Sequence, residues 1–191
     1  MIDLLVCRHG QTDYNLQSRY AGSSDILLNE NGRQQAELLA ADPEVAGVDV
    51  IVASPLLRAV QTALAIQRET ENPLHIIRAF SERNFGVYEG LTRDEVQRIY
   101  PDLWAQNMLH QADKAPSGGE TLVQFTQRIK PGLEQLMDAY DGKTVLLVAH
   151  GFVSREINRI LCGLSYENMH GFVLQNAHIA RYKLERSVFG D

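Results

Sequence analysis

Two apolar runs in this chain end in the same dipeptide, and this repeated ending is the feature that most restricts its fold. The run Leu4–Cys7 leads through Arg8 into His9-Gly10, and the run Val145–Ala149 leads into His150-Gly151. An unbroken apolar run of this length is typical of a strand buried on both faces. Because the parallel strands of one sheet end at the same edge, we predict that both imidazoles lie at the carboxyl edge of a central sheet.

The segments between these runs alternate between helix and strand patterns. A third apolar run, 48–53, leads into Ser54-Pro55, which we interpret as an N-cap and the first helical residue, with Leu57, Val60 and Leu64 facing the core. We predict further helices at 29–40, 92–100, 121–137 and 152–161, and further strands at 74–79 and 176–185. This alternation predicts an α/β fold, a three-layer α/β/α sandwich with a mostly parallel central sheet.

Length and composition restrict the class of protein. A chain of 191 residues suits one domain, 1–191, and a net charge of −6 is unfavourable for binding nucleic acid. The first apolar run is too short for a signal peptide or a membrane span, so we expect a cytoplasmic protein that does not bind membranes. Cys7 and Cys162 offer neither a disulfide framework nor a metal-ligand spacing, and we expect both to be buried.

The charged residues expected at the sheet edge suit a phosphate group. Arg58 lies in the first turn of a predicted helix and should meet Arg8, His9 and His150 there. Guanidinium groups bind phosphate oxygens, and the neighbouring positive charge keeps an imidazole neutral and therefore nucleophilic. These four side chains therefore predict a site for phosphoryl transfer to a histidine.

Phosphoryl transfer from an ester also needs an acid for the leaving oxygen. The segment 80–91 has the glycines of a loop and carries Glu82 and Glu89. A carboxyl group can supply the proton, and we take Glu82 as the candidate and Glu89 as its competitor.

Five motifs follow one another along the chain: Arg8-His9-Gly10-Gln11-Thr12-x-x-Asn15, Ser54-Pro55-Leu56-x-Arg58-Ala59-x-Gln61-Thr62-Ala63, Glu82-x-x-x-Gly86-x-x-Glu89-Gly90, Gly118-Gly119-Glu120-Thr121 and His150-Gly151. Together they resemble the histidine phosphatase superfamily, and more narrowly its branch 1, which includes cofactor-dependent phosphoglycerate mutase and the small broad-specificity and α-ribazole phosphatases. The resemblance extends from the first strand to the last. It implies one catalytic domain with a phosphoglycerate mutase-like fold.

The resemblance also implies a role for each site residue. His9 would form a phosphohistidine, and Glu82 would protonate the leaving group and then activate water. Residues that would bind the substrate phosphate are Arg8, Asn15, Arg58, His150 and Gly151. Neither a metal nor a cofactor is implied. The implied activity is that of a phosphoric monoester hydrolase of the histidine acid phosphatase type, acting on a small phosphorylated metabolite.

Three other functions stay open at this point. A 2,3-bisphosphoglycerate-dependent phosphoglycerate mutase would share the phosphate pocket, but the paired arginines with which mutases contact substrate have no counterpart between Tyr100 and Pro116, where Lys114 is the only basic residue besides His110. A non-catalytic phosphate-binding module is the second alternative, and a metal-dependent hydrolase the third. We expect Arg83, next to Glu82, to bind a second anionic group of the substrate. A homodimer is left open.

Overall fold

A computed structural model describes residues 1–189 of the chain. One five-stranded sheet has the order β3-β2-β4-β1-β5, in which β5 alone is antiparallel to its neighbour. The strands are β1 (Ile2–Arg8), β2 (Val50–Ala53), β3 (Leu74–Ile76), β4 (Thr144–Ala149) and β5 (Ile179–Leu184). The predicted strands at 74–79 and 176–185 are therefore present but shorter than expected.

Helices cover both faces of this sheet. They are α1 (Asp13–Leu16), α2 (Glu30–Ala40), α3 (Pro43–Ala46), α4 (Leu57–Thr70), α5 (Arg93–Ile99), α6 (Pro101–Ala105), α7 (Leu122–Tyr140) and α8 (Gly151–Leu161). The apolar sides of α7 and α8 pack on one face of the sheet, and those of α2, α3 and α4 pack on the other. The α/β/α sandwich predicted from the sequence is confirmed.

Side-chain caps start several helices where the sequence predicts them. Asn29 caps α2, while Thr92 and Thr121 form capping boxes with Glu95 and Gln124 at the starts of α5 and α7. Within the part of the chain that the structure describes, no helix is both long and apolar enough to cross a bilayer.

The start and the buried face of α4 differ from the prediction. Leu56, rather than Ser54, is the N-cap residue. The Ser54 hydroxyl is hydrogen-bonded to His150 and accepts from the Leu56 amide just before the helix. Leu57 and Leu64 are exposed, and the buried side of α4 carries smaller side chains, including Ala59 and Ala63. These small residues let α4 pack closely on the sheet while Arg58 points towards its carboxyl edge.

The two cysteines also differ from each other. Cys7 is buried in β1, as predicted, and burial raises its pKa to about 12. Cys162 is exposed, so the prediction that it is buried is wrong. It is the C-cap residue of α8, beyond the last residue that packs against the sheet.

The loop that follows β1 is held against α2 by a close approach of two backbones. A β-carbon at Gly32 would overlap the carbonyl oxygen of Gln11, and one at Gly10 would overlap the carbonyl oxygen of Gly32. The same Gln11 carbonyl accepts a hydrogen bond from the Asn29 amide at 3.0 Å. Glycine at position 32 therefore fixes how closely the loop that carries His9 can lie to the helix.

We expect Gly32→Ala to destabilise the protein. Helix propensity alone would stabilise it by about 1 kcal/mol, but overpacking against Gln11 should outweigh this and lower the free energy of unfolding by about 1–3 kcal/mol. Urea unfolding measures the difference. Gly47→Ala is the control, because Gly47 has a negative φ and open space around it, and it should change the free energy by no more than about 0.5 kcal/mol. A stabilised Gly32→Ala protein would contradict the packing argument.

Candidate active site

Four of the predicted site residues meet at the carboxyl edge of the sheet. Arg8 is the last residue of β1, and His9 and His150 directly follow β1 and β4. Arg58, in the first turn of α4, reaches the same place. The His9 amide donates to the Ala149 carbonyl at 3.0 Å, which ties the ends of the two central strands together.

The hydrogen bonds of His9 determine its tautomer. Its Nδ1 lies 2.7 Å from the Gly10 carbonyl oxygen, which can only accept, so Nδ1 carries the proton. The Nε–H of Arg58 donates to His9 Nε2 at 3.2 Å. Burial, followed by the positive charges of Arg58 and Arg8, holds the pKa of His9 well below its usual range. The ring is therefore neutral at pH 7, with a lone pair on Nε2.

His150 is a second neutral imidazole beside the first. The two rings are in edge contact, with centroids 5.2 Å apart. Nε2 of His150 lies 2.7 Å from the Ser54 hydroxyl, and its Nδ1 is buried with no hydrogen-bond partner among residues 1–189. Burial, then Arg58 and His9, hold the pKa of His150 well below its usual range.

Backbone carbonyl groups, rather than carboxylates, hold the two arginines. Arg58 is buried, and its Nη1 and Nη2 each donate at 2.7 Å, to the carbonyls of Ser24 and Gly22. Nη1 of Arg8 donates to the Leu174 carbonyl at 2.9 Å, and its buried Nε has no partner among the described residues. These carbonyls orient the guanidinium groups without neutralising their charge.

The structure separates the two candidate acids. Both carboxylate oxygens of Glu89 accept hydrogen bonds from the Ser23–Ser24 turn, and Oε1 also accepts from the Phe85 amide, so Glu89 secures the loop that holds Arg58. Glu82 borders the cleft in front of His9 and is only 8% exposed. Its carboxylate accepts from the amides of Arg83 at 2.9 Å and Phe152 at 3.1 Å.

A cleft of about 170 Å³ opens in front of these groups. Asn15 and Gly151 line it, together with Arg8, His9, Arg58 and Glu82. The side-chain oxygen Oδ1 of Asn15 accepts from the Thr12 backbone amide and from Asn176 Nδ2, whereas its side-chain nitrogen Nδ2 makes no hydrogen bond to any described residue. The outer wall is formed by Arg19, Tyr20, Phe85, Phe152, Arg155, Val173 and Leu174.

Arg83 is not part of this cleft. Its side chain is fully buried, and its guanidinium donates to the carbonyls of Leu109 at 3.1 Å, Lys114 at 3.5 Å and Glu120 at 2.9 Å. These bonds join the loop of Glu82 to the segment 109–120. The expectation that Arg83 faces the substrate is not met, because its donors are used by backbone carbonyls that are distant in sequence.

Two site residues were missed by the sequence analysis. Arg155 borders the cleft, one helical turn after Gly151, and that spacing along α8 could have indicated it. Asn176, just before β5, donates from Nδ2 to the His9 carbonyl at 2.9 Å and to Asn15 Oδ1 at 3.2 Å. No local pattern marks this residue. Within residues 1–189, no group of three or more His, Cys, Asp or Glu side chains is arranged to hold a metal ion.

Comparisons with known proteins agree with this geometry. The family model of the histidine phosphatase superfamily (branch 1) matches residues 4–189. The chain is 38% identical over 151 residues to the uncharacterized phosphatase PhoE of Bacillus subtilis, covering 79% of this chain and 72% of that protein. It is 32% identical over 173 residues to a 2,3-bisphosphoglycerate-dependent phosphoglycerate mutase of Cytophaga hutchinsonii, covering 87% and 80%.

A solved structure gives the same result for the fold. The mycobacterial glucosyl-3-phosphoglycerate phosphatase superposes with a TM-score of 0.85 and 30% identity, covering 94% of this chain and 91% of that one. The family match and the fold agree over nearly the whole chain. This chain therefore belongs to branch 1 of the histidine phosphatase superfamily.

Proposed function

We propose that this chain is a phosphomonoesterase that hydrolyses a small phosphorylated metabolite through a phosphohistidine at His9, without a metal ion. One observation carries the proposal: His9 is a neutral imidazole whose Nδ1 is bonded to the Gly10 carbonyl and whose Nε2 lone pair faces the cationic Arg58. A phosphate bound to Arg58 would place its phosphorus next to that lone pair. The relatives named as phosphatases support the same activity.

In the first step, Nε2 of His9 attacks phosphorus and the ester P–O bond breaks. The guanidinium groups of Arg8 and Arg58 and the side-chain amide of Asn15 stabilise the charge on the equatorial oxygens of the phosphoryl group. The unpartnered Nδ1 of His150 adds a fourth donor when Ser54 donates to its Nε2. Glu82, in its protonated form, gives its proton to the leaving oxygen and becomes a carboxylate.

In the second step, water replaces the departed alcohol. The Glu82 carboxylate takes a proton from this water, whose oxygen attacks phosphorus. The N–P bond breaks, inorganic phosphate leaves, and the lone pair returns to Nε2 of His9. Each catalytic group is then in its starting state.

Hydrolysis is favoured over the mutase reaction by what surrounds the phosphate groups. A mutase has to retain a second anionic group while the phosphoenzyme waits. The paired arginines of the mutases are lacking, because the segment 101–115 contributes no arginine and Arg83 is held by three backbone carbonyls. Among residues 1–189, Arg155 alone is left to bind a second anion at the cleft. The non-catalytic binding module is disfavoured because nucleophile, acid and phosphate ligands converge on one cleft.

The leaving-group side of the cleft nevertheless has one arginine with free donors. Nε of Arg155 donates to the Phe172 carbonyl at 2.9 Å, and its guanidinium lies 4.9 Å from the centre of the Phe152 ring. Its Nη groups make no hydrogen bond to residues 1–189 and no carboxylate pairs with it there. We therefore assign to Arg155, instead of Arg83, the binding of a carboxylate on the leaving group.

Labelling with an alkaline quench tests the covalent step, because a phosphohistidine survives base and is lost in acid. A phosphorylated substrate carrying radioactive phosphorus should label the wild-type protein with a base-stable, acid-labile phosphate. His9→Ala should abolish the label and lower phosphate release by at least about a thousandfold, because the nucleophile is lost. His75→Ala, at an exposed histidine in β3, should behave like the wild type. Full activity without label in His9→Ala would contradict the mechanism, and isomerisation of phosphoglycerate with little phosphate release would identify a mutase.

The neutral state of the two histidines predicts a pH dependence of stability. Unfolded histidine has a pKa of about 6.5, whereas the pKa values of folded His9 and His150 lie well below this. Below about pH 6.5 the unfolded chain therefore binds more protons, and the free energy of unfolding should fall as the pH falls further. Urea unfolding between pH 7 and pH 5 measures this slope, which His150→Asn should reduce and His75→Asn should not. An unchanged slope in His150→Asn would mean that folded His150 titrates normally.

The Arg155 assignment predicts a change in specificity. Arg155→Gln should raise the KM for 3-phosphoglycerate by about 10- to 100-fold, and the KM for glycerol 3-phosphate, which lacks the carboxylate, by less than about threefold. Arg19→Gln is the control: Arg19 borders the same cleft, but its guanidinium is bonded to Glu95 and to the Gly90 carbonyl. Arg19→Gln should change the KM for both substrates by the same factor. An equal effect of Arg155→Gln on both would overturn the assignment.

A further inference from the structure

The loop that carries Glu82 depends on a side chain from another element. Glu82 lies between two short 3-10 turns, Arg78–Phe80 and Gly86–Tyr88, and belongs to neither a strand nor an α-helix. Arg128, in the second turn of α7, reaches across to this loop. Its Nη1 donates to the carbonyls of Ala79 at 2.6 Å and Ser81 at 2.7 Å, and its Nη2 donates to the carbonyl of Glu82 itself at 3.0 Å.

Glu120 completes the coordination of this arginine. Its Oε1 accepts from Arg128 Nε at 2.7 Å and its Oε2 accepts from Nη2 at 2.9 Å. All five N–H donors of the guanidinium therefore have an acceptor, two on a carboxylate and three on the loop. Because the guanidinium is planar, these bonds fix the three carbonyls relative to α7. A lysine has only three donors and no planar geometry, so it cannot replace this arrangement.

The motif Gly118-Gly119-Glu120-Thr121 acquires a role from these contacts. The Glu120 amide donates to the Asn84 carbonyl at 2.9 Å, and the Glu120 carbonyl accepts from Arg83 Nε at 2.9 Å. Glu120 is thus bonded to the Glu82 loop through its backbone and to Arg128 through its side chain. Thr121 caps α7 and so connects the motif directly to the helix that carries Arg128.

We propose that Arg128, oriented by Glu120, is a positioning residue for Glu82, an inference that rests on the function proposed for Glu82. Among residues 1–189, the Glu82 carboxylate accepts hydrogen bonds from two backbone amides, those of Arg83 and Phe152, so its location depends on the backbone behind it. The proposed phosphate ligands lie on β1, on α1, on α4 and at the end of β4, and Arg128 makes no hydrogen bond to any of them. Loss of Arg128 should therefore impair proton transfer and leave phosphate binding intact.

A comparison of two leaving groups separates this role from general support of the fold. Glycerol 3-phosphate releases an alkoxide, which needs a proton, whereas 4-nitrophenyl phosphate releases a stable phenolate that needs almost none. The parameter to measure is kcat/KM, which reports the steps up to formation of the phosphoenzyme. We expect Arg128→Lys to lower kcat/KM for glycerol 3-phosphate by about 10- to 100-fold, and for 4-nitrophenyl phosphate by less than about threefold.

Arg159→Lys is the matched control. Arg128 pairs with Glu120 and lies 4.6 Å from the centre of the Phe125 ring. Arg159 likewise pairs with a carboxylate, Glu156, and lies over the Tyr166 ring, but none of its contacts reaches Glu82. It should lower the thermal midpoint and change kcat/KM for both substrates by the same factor. If Arg159→Lys discriminated between the substrates as strongly as Arg128→Lys, the positioning role would be overturned.

Glu82→Gln separates failure of this proposal from failure of the proposed function. It should lower kcat/KM for glycerol 3-phosphate much more than for 4-nitrophenyl phosphate, as Arg128→Lys does. Adding Arg128→Lys to Glu82→Gln should lower kcat/KM for glycerol 3-phosphate by less than about a further twofold. If Glu82→Gln slowed both substrates equally, Glu82 would not be the acid and the proposed mechanism would fail. If Glu82→Gln lowered kcat/KM mainly for glycerol 3-phosphate and Arg128→Lys did not, the mechanism would stand and Arg128 would be excluded as a positioning residue.

Discussion

The contact between Arg58 and His9 is the interaction on which the rest of the site depends. A guanidinium 3.2 Å from an imidazole nitrogen is tolerable only if that imidazole is neutral, and burial together with Arg8 keeps it so. Among the described residues no carboxylate forms a salt bridge with Arg58, which is held in place by the carbonyls of Gly22 and Ser24. The carboxylates of Glu82, Asp25 and Glu89 act on its charge only from a greater distance. The site can therefore receive an anion next to Nε2 of His9, whose lone pair accepts a hydrogen bond from Arg58.

The arginines of this chain divide by the partner that holds them. Arg19, Arg128 and Arg159 pair with Glu95, Glu120 and Glu156. The first two pairs join separate segments of the chain, whereas the third lies within α8. By contrast, carbonyl groups hold Arg8, Arg58 and Arg155, which border the cleft and keep their charge available. Arg83 is bound by carbonyls too, but it uses its donors to join two loops. A carboxylate partner thus marks a supporting arginine, whereas an arginine held by carbonyls can either bind a ligand or, like Arg83, join two loops.

Sequence patterns predicted the sheet, its covering helices and the convergence of His9, His150, Arg8 and Arg58. The positions of Arg8, His9 and His150 follow from strand ends, and those of the helices and Arg58 follow from caps and helical spacing, all of which are visible in the order of apolar and polar residues. The predictions were wrong where burial of a side chain depends on the neighbours that it meets in the folded protein. Leu57 and Leu64 have core spacing, yet α4 turns its alanine side to the sheet. Glu82 and Glu89 stand in one loop with similar neighbours, and only their partners in space distinguish them.

By itself, then, the sequence determined the α/β architecture, the edge at which chemistry is placed, and the presence of a histidine flanked by arginines. These depend on periodicity and strand order, which are local properties of the chain. Tertiary structure alone decided that Arg83 joins loops while Arg155 faces the cleft, that Asn176 supports Asn15, and that Arg128 holds the loop of Glu82. A guanidinium can serve equally well as a ligand or as a support. Which of the two it becomes depends on carbonyl groups that folding brings to it from distant parts of the chain.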